Sequence, residues 1–239
     1  MSSSAADLTK LYKLQDRFLE WFVTLKLPFY LTGGTALGRF YLNHRYSNDL
    51  DFFVNDDSEF QLHVQQINKT IREHFMVNNQ QSLFSEDFSR IFIEDREIAL
   101  KIEFVNEVKY RAGNPIEFRY GLLDTPENIL SNKISAILGR DEPKDIFDII
   151  CMAEKYSFNW EEMFYHTKNK AVINEVDVER RLIEFPVEWI KDLHWLKEPP
   201  DIKELKKHLN TIANDFLLGK DNSLAENKKP IQKARPLKI

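Results

Sequence analysis

Two aspartates, Asp49 and Asp51, are the residues of this sequence whose type and spacing point most directly to chemistry. They lie two positions apart in a segment that alternates like a strand, so both carboxylates project from one face, while Leu50 and Phe52 face the core. Adjacent carboxylates repel unless a cation separates them, and Mg²⁺ commonly takes one or two carboxylates together with substrate phosphates. Asp is disfavoured in strands. We therefore interpret the pair as a divalent metal site, the alternative being a solvent-facing edge strand.

A glycine pair precedes these aspartates, between a predicted short strand at residues 29–31 and a predicted helix at residues 35–43. Gly33 and Gly34 allow backbone N–H groups to approach a ligand without obstruction by a Cβ atom. The following helix directs its N-terminus at the same place, and Thr35 adds a hydroxyl group there. This combination suits a phosphate, so we predict that all three residues bind a nucleotide, the alternative being an ordinary turn.

Glu103 is the candidate for a third carboxylate. It lies with Lys101 on one face of a strand predicted at residues 98–105, whereas Leu100, Ile102 and Phe104 face the other way. If this strand lies beside the aspartate strand, Glu103 joins the acidic cluster. Three carboxylates can hold two divalent ions about 3.5–4 Å apart, an arrangement used for in-line phosphoryl displacement.

Basic residues follow on a helix predicted at residues 127–139, with Lys133 and Arg140 on one face. Two cations converging on a cleft can bind a triphosphate and stabilise charge on the transferred group. A second helix begins near Pro143 and carries Asp145 and Asp148. For both aspartates the alternative is a salt-bridged helix face, which we favour for Asp148 only.

Arg45 and Ser47 come just before the metal aspartates. Their position predicts contact with the nucleotide phosphates. The alternative is ordinary turn chemistry, for which a Ser-Asn pair is typical.

Together these segments resemble a known family. The Gly-Gly-Thr turn at residues 33–35, the Arg-x-Ser-x-Asp-x-Asp-Phe run at residues 45–52 and the later acidic strand resemble the DNA polymerase β-like nucleotidyltransferase superfamily. The Lys, Arg, basic-Asp and Asp residues between positions 133 and 148 are similar to a second signature of its AbiEii-type branch, the toxins of type IV toxin–antitoxin systems. The two matches cover about residues 29–150.

The resemblance implies an α+β fold of the polymerase β-like type, with a small mixed sheet flanked by helices and a helical C-terminal part. It implies that Asp49, Asp51 and Glu103 bind Mg²⁺ or Mn²⁺, with an NTP as the substrate. It also carries functional roles to Lys133 and Asp145, the latter orienting Lys133 or acting as a base toward the acceptor.

The chain has 239 residues, enough for one large domain or for a core with a smaller attachment. We predict a nucleotidyltransferase core with an N-terminal helix at residues 1–150, a helical part at 151–218 and a basic tail at 219–239. The predicted tail is solvated and frayed, with RNA contact as the alternative. One cysteine excludes a disulfide scaffold, and no long apolar run or signal peptide is present, which predicts a cytoplasmic protein without membrane contact.

The function predicted from these residues is transfer of a nucleoside monophosphate from an NTP to an acceptor. The acceptor is RNA such as tRNA, or a protein, and an antitoxin protein is the expected partner of a toxin. The net charge of -5 argues mildly against extensive RNA binding. Local basic groups keep RNA binding open, namely Lys168, Lys170, Arg180 and Arg181. A small-molecule nucleotidyltransferase and a non-catalytic nucleotide-binding module remain the alternatives.

Overall fold

The computed structural model describes residues 5–96, 98–191 and 194–237 of the chain, and it has an α+β architecture. The α-helices are α1 (Ala5–Phe22), α2 (Gly33–Thr35), α3 (Phe60–Thr70), α4 (Pro126–Gly139), α5 (Pro143–Lys155), α6 (Trp160–Lys168), α7 (Glu175–Glu184) and α8 (Ile202–Leu217). Helix α2 continues as a π-helix over Ala36–Tyr41. Short 3₁₀ helices cover Val23–Leu25, Ile71–Glu73, Val187–Ile190, Ser223–Ala225 and Ile231–Lys233.

Eight of the strands form one mixed sheet. They are β1 (Tyr30–Thr32), β2 (Leu50–Asn55), β3 (Met76–Val77), β4 (Leu83–Phe84), β5 (Phe88–Asp95), β6 (Ile98–Glu107), β7 (Ile116–Phe118) and β8 (Gly121–Leu123). Their order is β3-β5-β6-β2-β1-β8-β7, and β4 also pairs with β5. The β2–β6 and β1–β8 pairs are parallel, whereas the other pairs are antiparallel. Strands β9 (Tyr156–Ser157) and β10 (Lys229–Pro230) form a separate parallel pair.

The chain forms two compact units. The first comprises Met1–Ala36, Tyr46–Lys109 and Pro115–Asp124, and it contains the eight-stranded sheet with α1 and α3. The second comprises Leu37–Arg45, Tyr110–Asn114 and Thr125–Ile239, and it contains α4 to α8. The bounds of these two units differ from the predicted division at residue 150, because helices α4 and α5 belong to the second unit.

An aromatic core joins α1 to the sheet in the first unit. The rings of Phe22 and Phe52 lie 4.4 Å apart, and Phe52 stacks on Phe104 at 5.5 Å. Burial of each such ring contributes about 1.5–3 kcal/mol. This packing fixes β2 and β6 by their apolar faces, so the polar residues between the buried ones are held on the opposite face.

The alternation predicted for these two strands is confirmed. Leu50, Phe52 and Val54 are buried on β2, and Leu100, Ile102 and Phe104 are buried on β6. The short strands β3, β4, β7 and β8 are too brief for a period-2 pattern to stand out, and the sequence predicted none of them.

In the second unit, prolines begin both α4 and α5, where the missing N–H group leaves no helical bond unmade. The segment after Gly219 differs from the solvated, frayed tail that its charge predicted. Asn222, Ala225 and Ile231 are buried, and Asn222 Nδ2 donates to the carbonyl groups of Ala153 and Tyr156. A few apolar and capping residues therefore fix this segment despite its many lysines.

Across the described residues, no helix combines the length and the apolar composition that crossing a lipid bilayer requires.

Candidate functional site

The register of the sheet brings Glu103 beside Asp51. Strands β2 and β6 run parallel, with Asp51 opposite Glu103 and Leu50 opposite Ile102. Neighbouring strand positions in register project from the same face of a sheet. The expectation that the acidic strand lies next to the aspartate strand is thus confirmed.

Gly33 lies against the carboxylate of Asp51. The residue has a φ of +68°, and a Cβ atom built on it would lie 2.5 Å from Asp51 Oδ2. Any other residue would be strained in this conformation and would also collide with the carboxylate. The glycine therefore allows close approach between the turn and Asp51, beyond making the turn itself.

The rest of the turn is tied to the same strand. Thr35 is buried, and its hydroxyl group donates to the backbone carbonyl of Asp49. Thr32 pairs with Asp51 in the antiparallel β1–β2 register, and its hydroxyl group donates to Asp124 Oδ2 at 2.5 Å. These bonds hold the start of α2 and the two aspartates in a fixed arrangement. The Thr35 hydroxyl is engaged within the protein.

A lysine stands between two of the three predicted carboxylates. Lys101 Nζ lies 3.0 Å from Asp49 Oδ2 and 3.1 Å from Glu103 Oε2. Arg90 lies on β5 directly opposite Glu103, and its guanidinium group is 2.7 Å from Glu103 Oε1. Burial raises the pKa of Glu103, but Lys101 and Arg90 outweigh it and the pKa falls below its usual value. Glu103 is therefore a carboxylate at neutral pH.

The same contacts act on the lysine. Burial lowers the pKa of Lys101, but the Asp49 and Glu103 carboxylates outweigh this effect and raise it. Lys101 is thus a protonated ammonium group at neutral pH, and it lies between the two carboxylates.

The donor chemistry of this acidic group fits a divalent ion. Asp49, Asp51 and Glu103 supply only carboxylate oxygens, the ligands that Mg²⁺ and Mn²⁺ prefer. Lys101 already balances part of the negative charge of two of them, Asp49 and Glu103. The ligand atoms of the three acids do not all lie within 4.8 Å of one another. Among the described residues, the His, Cys, Asp and Glu side chains that meet this distance form another set.

A second group of charges lies in the second unit, on α4 and α5. Lys133 Nζ donates to Asp145 Oδ1 at 2.5 Å and lies 2.7 Å from Asp148 Oδ2. Arg140 Nε donates to Asp145 Oδ2 at 2.7 Å, while about half of its side chain remains exposed. Burial raises the pKa of Asp145, but Lys133 and Arg140 outweigh it and lower the pKa overall.

This geometry bears on the two roles predicted for Asp145. Both of its oxygens accept hydrogen bonds from cations, and its side chain is fully buried. A carboxylate with a lowered pKa and both oxygens engaged is a poor base, whereas it positions Lys133 and Arg140 well.

Arg45 is placed against Asp148. Its Nε and Nη2 donate to the two Asp148 oxygens at 2.6 and 2.7 Å, and both side chains are almost completely buried. His44 Nε2 lies 2.8 Å from the same carboxylate, and the Trp195 ring lies beneath the guanidinium group. Burial raises the pKa of Asp148, but Arg45 and Lys133 hold it well below its usual range.

The buried pair changes the interpretation of two residues. Arg45, predicted to contact phosphate, is engaged by Asp148, and Asp148 has the salt-bridged role that we favoured for it. Ser47 is fixed through its backbone, since its N–H donates to the Tyr12 hydroxyl and its carbonyl accepts from Gln15.

Sequence reasoning did not assign Arg90 a role, and it named Lys101 only for its position beside Glu103. Arg90 on β5 and Lys101 on β6 both occupy polar positions between buried apolar residues. However, the registers that bring Lys101 beside Asp49 and Arg90 beside Glu103 could not be read from one strand alone.

A family model describing the nucleotidyl transferase AbiEii toxin of type IV toxin–antitoxin systems matches residues 17–229. The match extends well beyond the span of residues 29–150 on which the sequence motifs were recognised. No curated protein matches the chain significantly.

Two solved structures resemble the chain in fold. JHP933 from Helicobacter pylori is 21% identical, with a TM-score of 0.59 over 90% of this chain and 94% of its own. MenT4, a nucleotidyltransferase toxin from Mycobacterium tuberculosis, is 16% identical, with a TM-score of 0.55 over 90% of this chain and 85% of its own. At these identities the likeness shows the fold alone.

Proposed function

The chain belongs to the AbiEii family of nucleotidyltransferase toxins, and from this membership and the acidic group of the first unit we propose the reaction that it performs. It transfers a nucleoside monophosphate from an NTP to an acceptor, and the transfer depends on Mg²⁺ or Mn²⁺. The observation that carries this proposal is the register of Asp51 beside Glu103, with the Gly33 backbone packed against the Asp51 carboxylate.

In this reaction an acceptor oxygen forms a bond to the α-phosphorus of the NTP. The bond from that phosphorus to the pyrophosphate breaks, pyrophosphate leaves with the electron pair, and the acceptor releases its proton to solvent. Asp49, Asp51 and Glu103 would hold the divalent ion, which when bound supplies charge neutralisation for the phosphates. The backbone N–H groups at Gly33 and Gly34 would bind phosphate oxygens, with the start of α2 oriented toward them.

Within the second unit, Arg140 is the cation suited to a triphosphate, because half of its side chain is exposed. Lys133 is almost completely buried and bonded to two aspartates, so its proposed contribution is its positive charge. We propose Asp145 as a positioning residue for these two cations, and we assign Arg45 to the stability of the fold.

The acceptor is proposed to be an RNA such as tRNA, or a protein hydroxyl group. Four basic residues were considered as possible RNA contacts, and three of them bind other groups within the chain. Lys170 Nζ bonds Asn128, Ser131 and Asn132, Arg181 binds the Ile137 carbonyl group and Asp141, and Lys168 pairs with Glu175. An antitoxin protein is the proposed partner.

The test is incubation of the full chain with each α-³²P-labelled NTP, Mg²⁺ or Mn²⁺, and either total tRNA or protein extract. Label retained on RNA or protein identifies the nucleotide and the acceptor together. Glu86→Gln is the matched control, because Glu86 is an exposed acid of the first unit and lies outside the acidic group. Label that appears only on small molecules would support an antibiotic-type transferase, and NTP binding without any transfer would support a binding module.

A further inference from the structure

A second set of metal-ligating side chains lies in the second unit, apart from the groups described above. Glu127, Glu162 and His166 each offer a ligand atom, and these atoms all lie within 4.8 Å of one another. A tetrahedral Zn²⁺ site with bonds of about 2.0–2.2 Å has ligand atoms roughly 3.4 Å apart. Small side-chain rotations therefore suffice to close this set around an ion.

The three ligands come from two helices. Glu127 is in the first turn of α4, while Glu162 and His166 are four residues apart on α6 and so share one helix face. Asn159 caps α6 by accepting from the Glu162 N–H, and Thr125 caps α4 by accepting from the Asn128 N–H. Both helix starts are thus fixed, and the ligands project from rigid elements.

His166 directs a buried ring nitrogen at this set of side chains. Its Nε2 is buried and has no hydrogen-bond partner among the described residues, and it lies 3.7 Å from Glu127 Oε1, too far for a hydrogen bond. Its other nitrogen, Nδ1, lies 2.6 Å from the Tyr110 hydroxyl oxygen. When Nδ1–H donates to Tyr110, Nε2 carries a lone pair that points among the carboxylates. Metal-binding histidines are fixed in this way by a partner on their second nitrogen.

Glu127 is held from two further sides. Gln232 Nε2 donates to Oε1 at 2.9 Å, and a Cβ atom built on Gly113 would lie 3.3 Å from Oε2. Gly113 has a φ of +67°, so the backbone approaches the carboxylate closely where a side chain would be strained. Glu162 is exposed, which gives an ion a route from solvent.

We propose that Glu127, Glu162 and His166 form a binding site for a transition-metal ion of the Zn²⁺ class, which links the start of α4 to α6. Imidazole with two carboxylates suits Zn²⁺ better than Mg²⁺, which prefers oxygen ligands alone. The role proposed for the ion is to stabilise the second unit, and its ligands are different residues from the acidic group of the first unit.

The experiment titrates Zn²⁺ into the metal-stripped full chain against a chromophoric chelator, in buffer with millimolar Mg²⁺ to occupy oxygen-only sites. We compare Glu162→Gln with Glu161→Gln, an exposed neighbour outside the cluster, and His166→Gln with His208→Gln, a helix histidine paired with Glu154. Circular dichroism checks the fold of each variant. The thermal midpoint with and without Zn²⁺ is the second measurement.

We expect the wild type and both controls to bind one Zn²⁺ and to gain thermal stability. Glu162→Gln and His166→Gln lose affinity by more than the 10–100-fold typical for loss of an outer partner, while Tyr110→Phe falls within that range. Since Glu162 is exposed, its variant folds even if that of His166 does not. Zn²⁺ affinity in folded Glu162→Gln equal to that in Glu161→Gln would overturn the proposal, as would the absence of Zn²⁺ binding by the wild type.

Discussion

Gly33 and Asp51 approach each other so closely that a Cβ atom on the glycine would lie 2.5 Å from the aspartate Oδ2. The contact joins the turn that begins α2 to the strand that carries the proposed metal ligands. A glycine pair and an Asp-x-Asp strand are each weak indicators of a nucleotide site. The contact shows that here they are parts of one arrangement.

Replacement of Gly33 by alanine should displace the Asp51 carboxylate. A left-handed conformation costs a residue with a Cβ roughly 1–2 kcal/mol, and the collision adds to this. We expect Gly33→Ala to destabilise the chain by at least that amount and to lower nucleotidyl transfer. Gly139→Ala is the control, since a Cβ atom built on Gly139 would meet nothing within 4 Å. Urea unfolding and label transfer measure the two effects, and unchanged values in Gly33→Ala would contradict the contact.

Lys101 should compete with the divalent ion for Asp49 and Glu103. We expect Lys101→Met to bind Mn²⁺ about tenfold more tightly than the wild type, because two carboxylates lose their internal cation and about 1.4 kcal/mol is a tenfold change. Electron paramagnetic resonance of free Mn²⁺ measures the binding without reference to activity. Lys109→Met, another lysine of the first unit, is the control. Weaker Mn²⁺ binding in Lys101→Met would show that the lysine supports the site.

Asp148→Asn should destabilise the chain by about 3–5 kcal/mol, because it leaves Arg45 and Lys133 buried without a full counter-charge. The folded-state pKa of Asp148 lies below that of an unfolded aspartate, about 3.9. Its contribution is thus complete above that pH and is lost as the pH falls through the folded-state pKa.

The variant should therefore lose less stability than the wild type when the pH is lowered below about 4. Urea unfolding at neutral and acidic pH measures this. Asp141→Asn is the control, since Asp141 is largely exposed and its pair with Arg181 is worth at most about 1 kcal/mol. An equal loss for both variants would contradict the buried role of Asp148.

The part of this site that lies within single strands and turns could be predicted from the sequence. Alternation placed Asp51 and Glu103 on polar faces, and the glycines marked a close approach. The cation beside them could not be predicted, because Lys101 contacts Asp49 only through the β2–β6 register. The pairing of Arg45 with Asp148 could not be predicted for a similar reason, since Asp148 lies 103 residues away in the sequence.

Arg140→Gln should weaken the use of NTP with little loss of stability, because its guanidinium group is half exposed and Lys133 remains paired with the buried Asp145. We expect KM for the NTP to rise about tenfold while the unfolding midpoint stays near that of the wild type. Arg180→Gln, an exposed arginine on α7, is the control. An unchanged KM in Arg140→Gln would remove Arg140 from the nucleotide-binding residues.

The most direct test of the metal site is the rate of label transfer from an α-³²P-labelled NTP as Mg²⁺ is titrated, in the wild type, Asp51→Asn and Glu86→Gln. We predict that the rate of the wild type and of Glu86→Gln rises with Mg²⁺ to a plateau. Asp51→Asn, folded by circular dichroism, should lose at least about 100-fold in rate. Transfer by Asp51→Asn at the wild-type rate, with the same dependence on Mg²⁺, would contradict the assignment of Asp51 to the metal site.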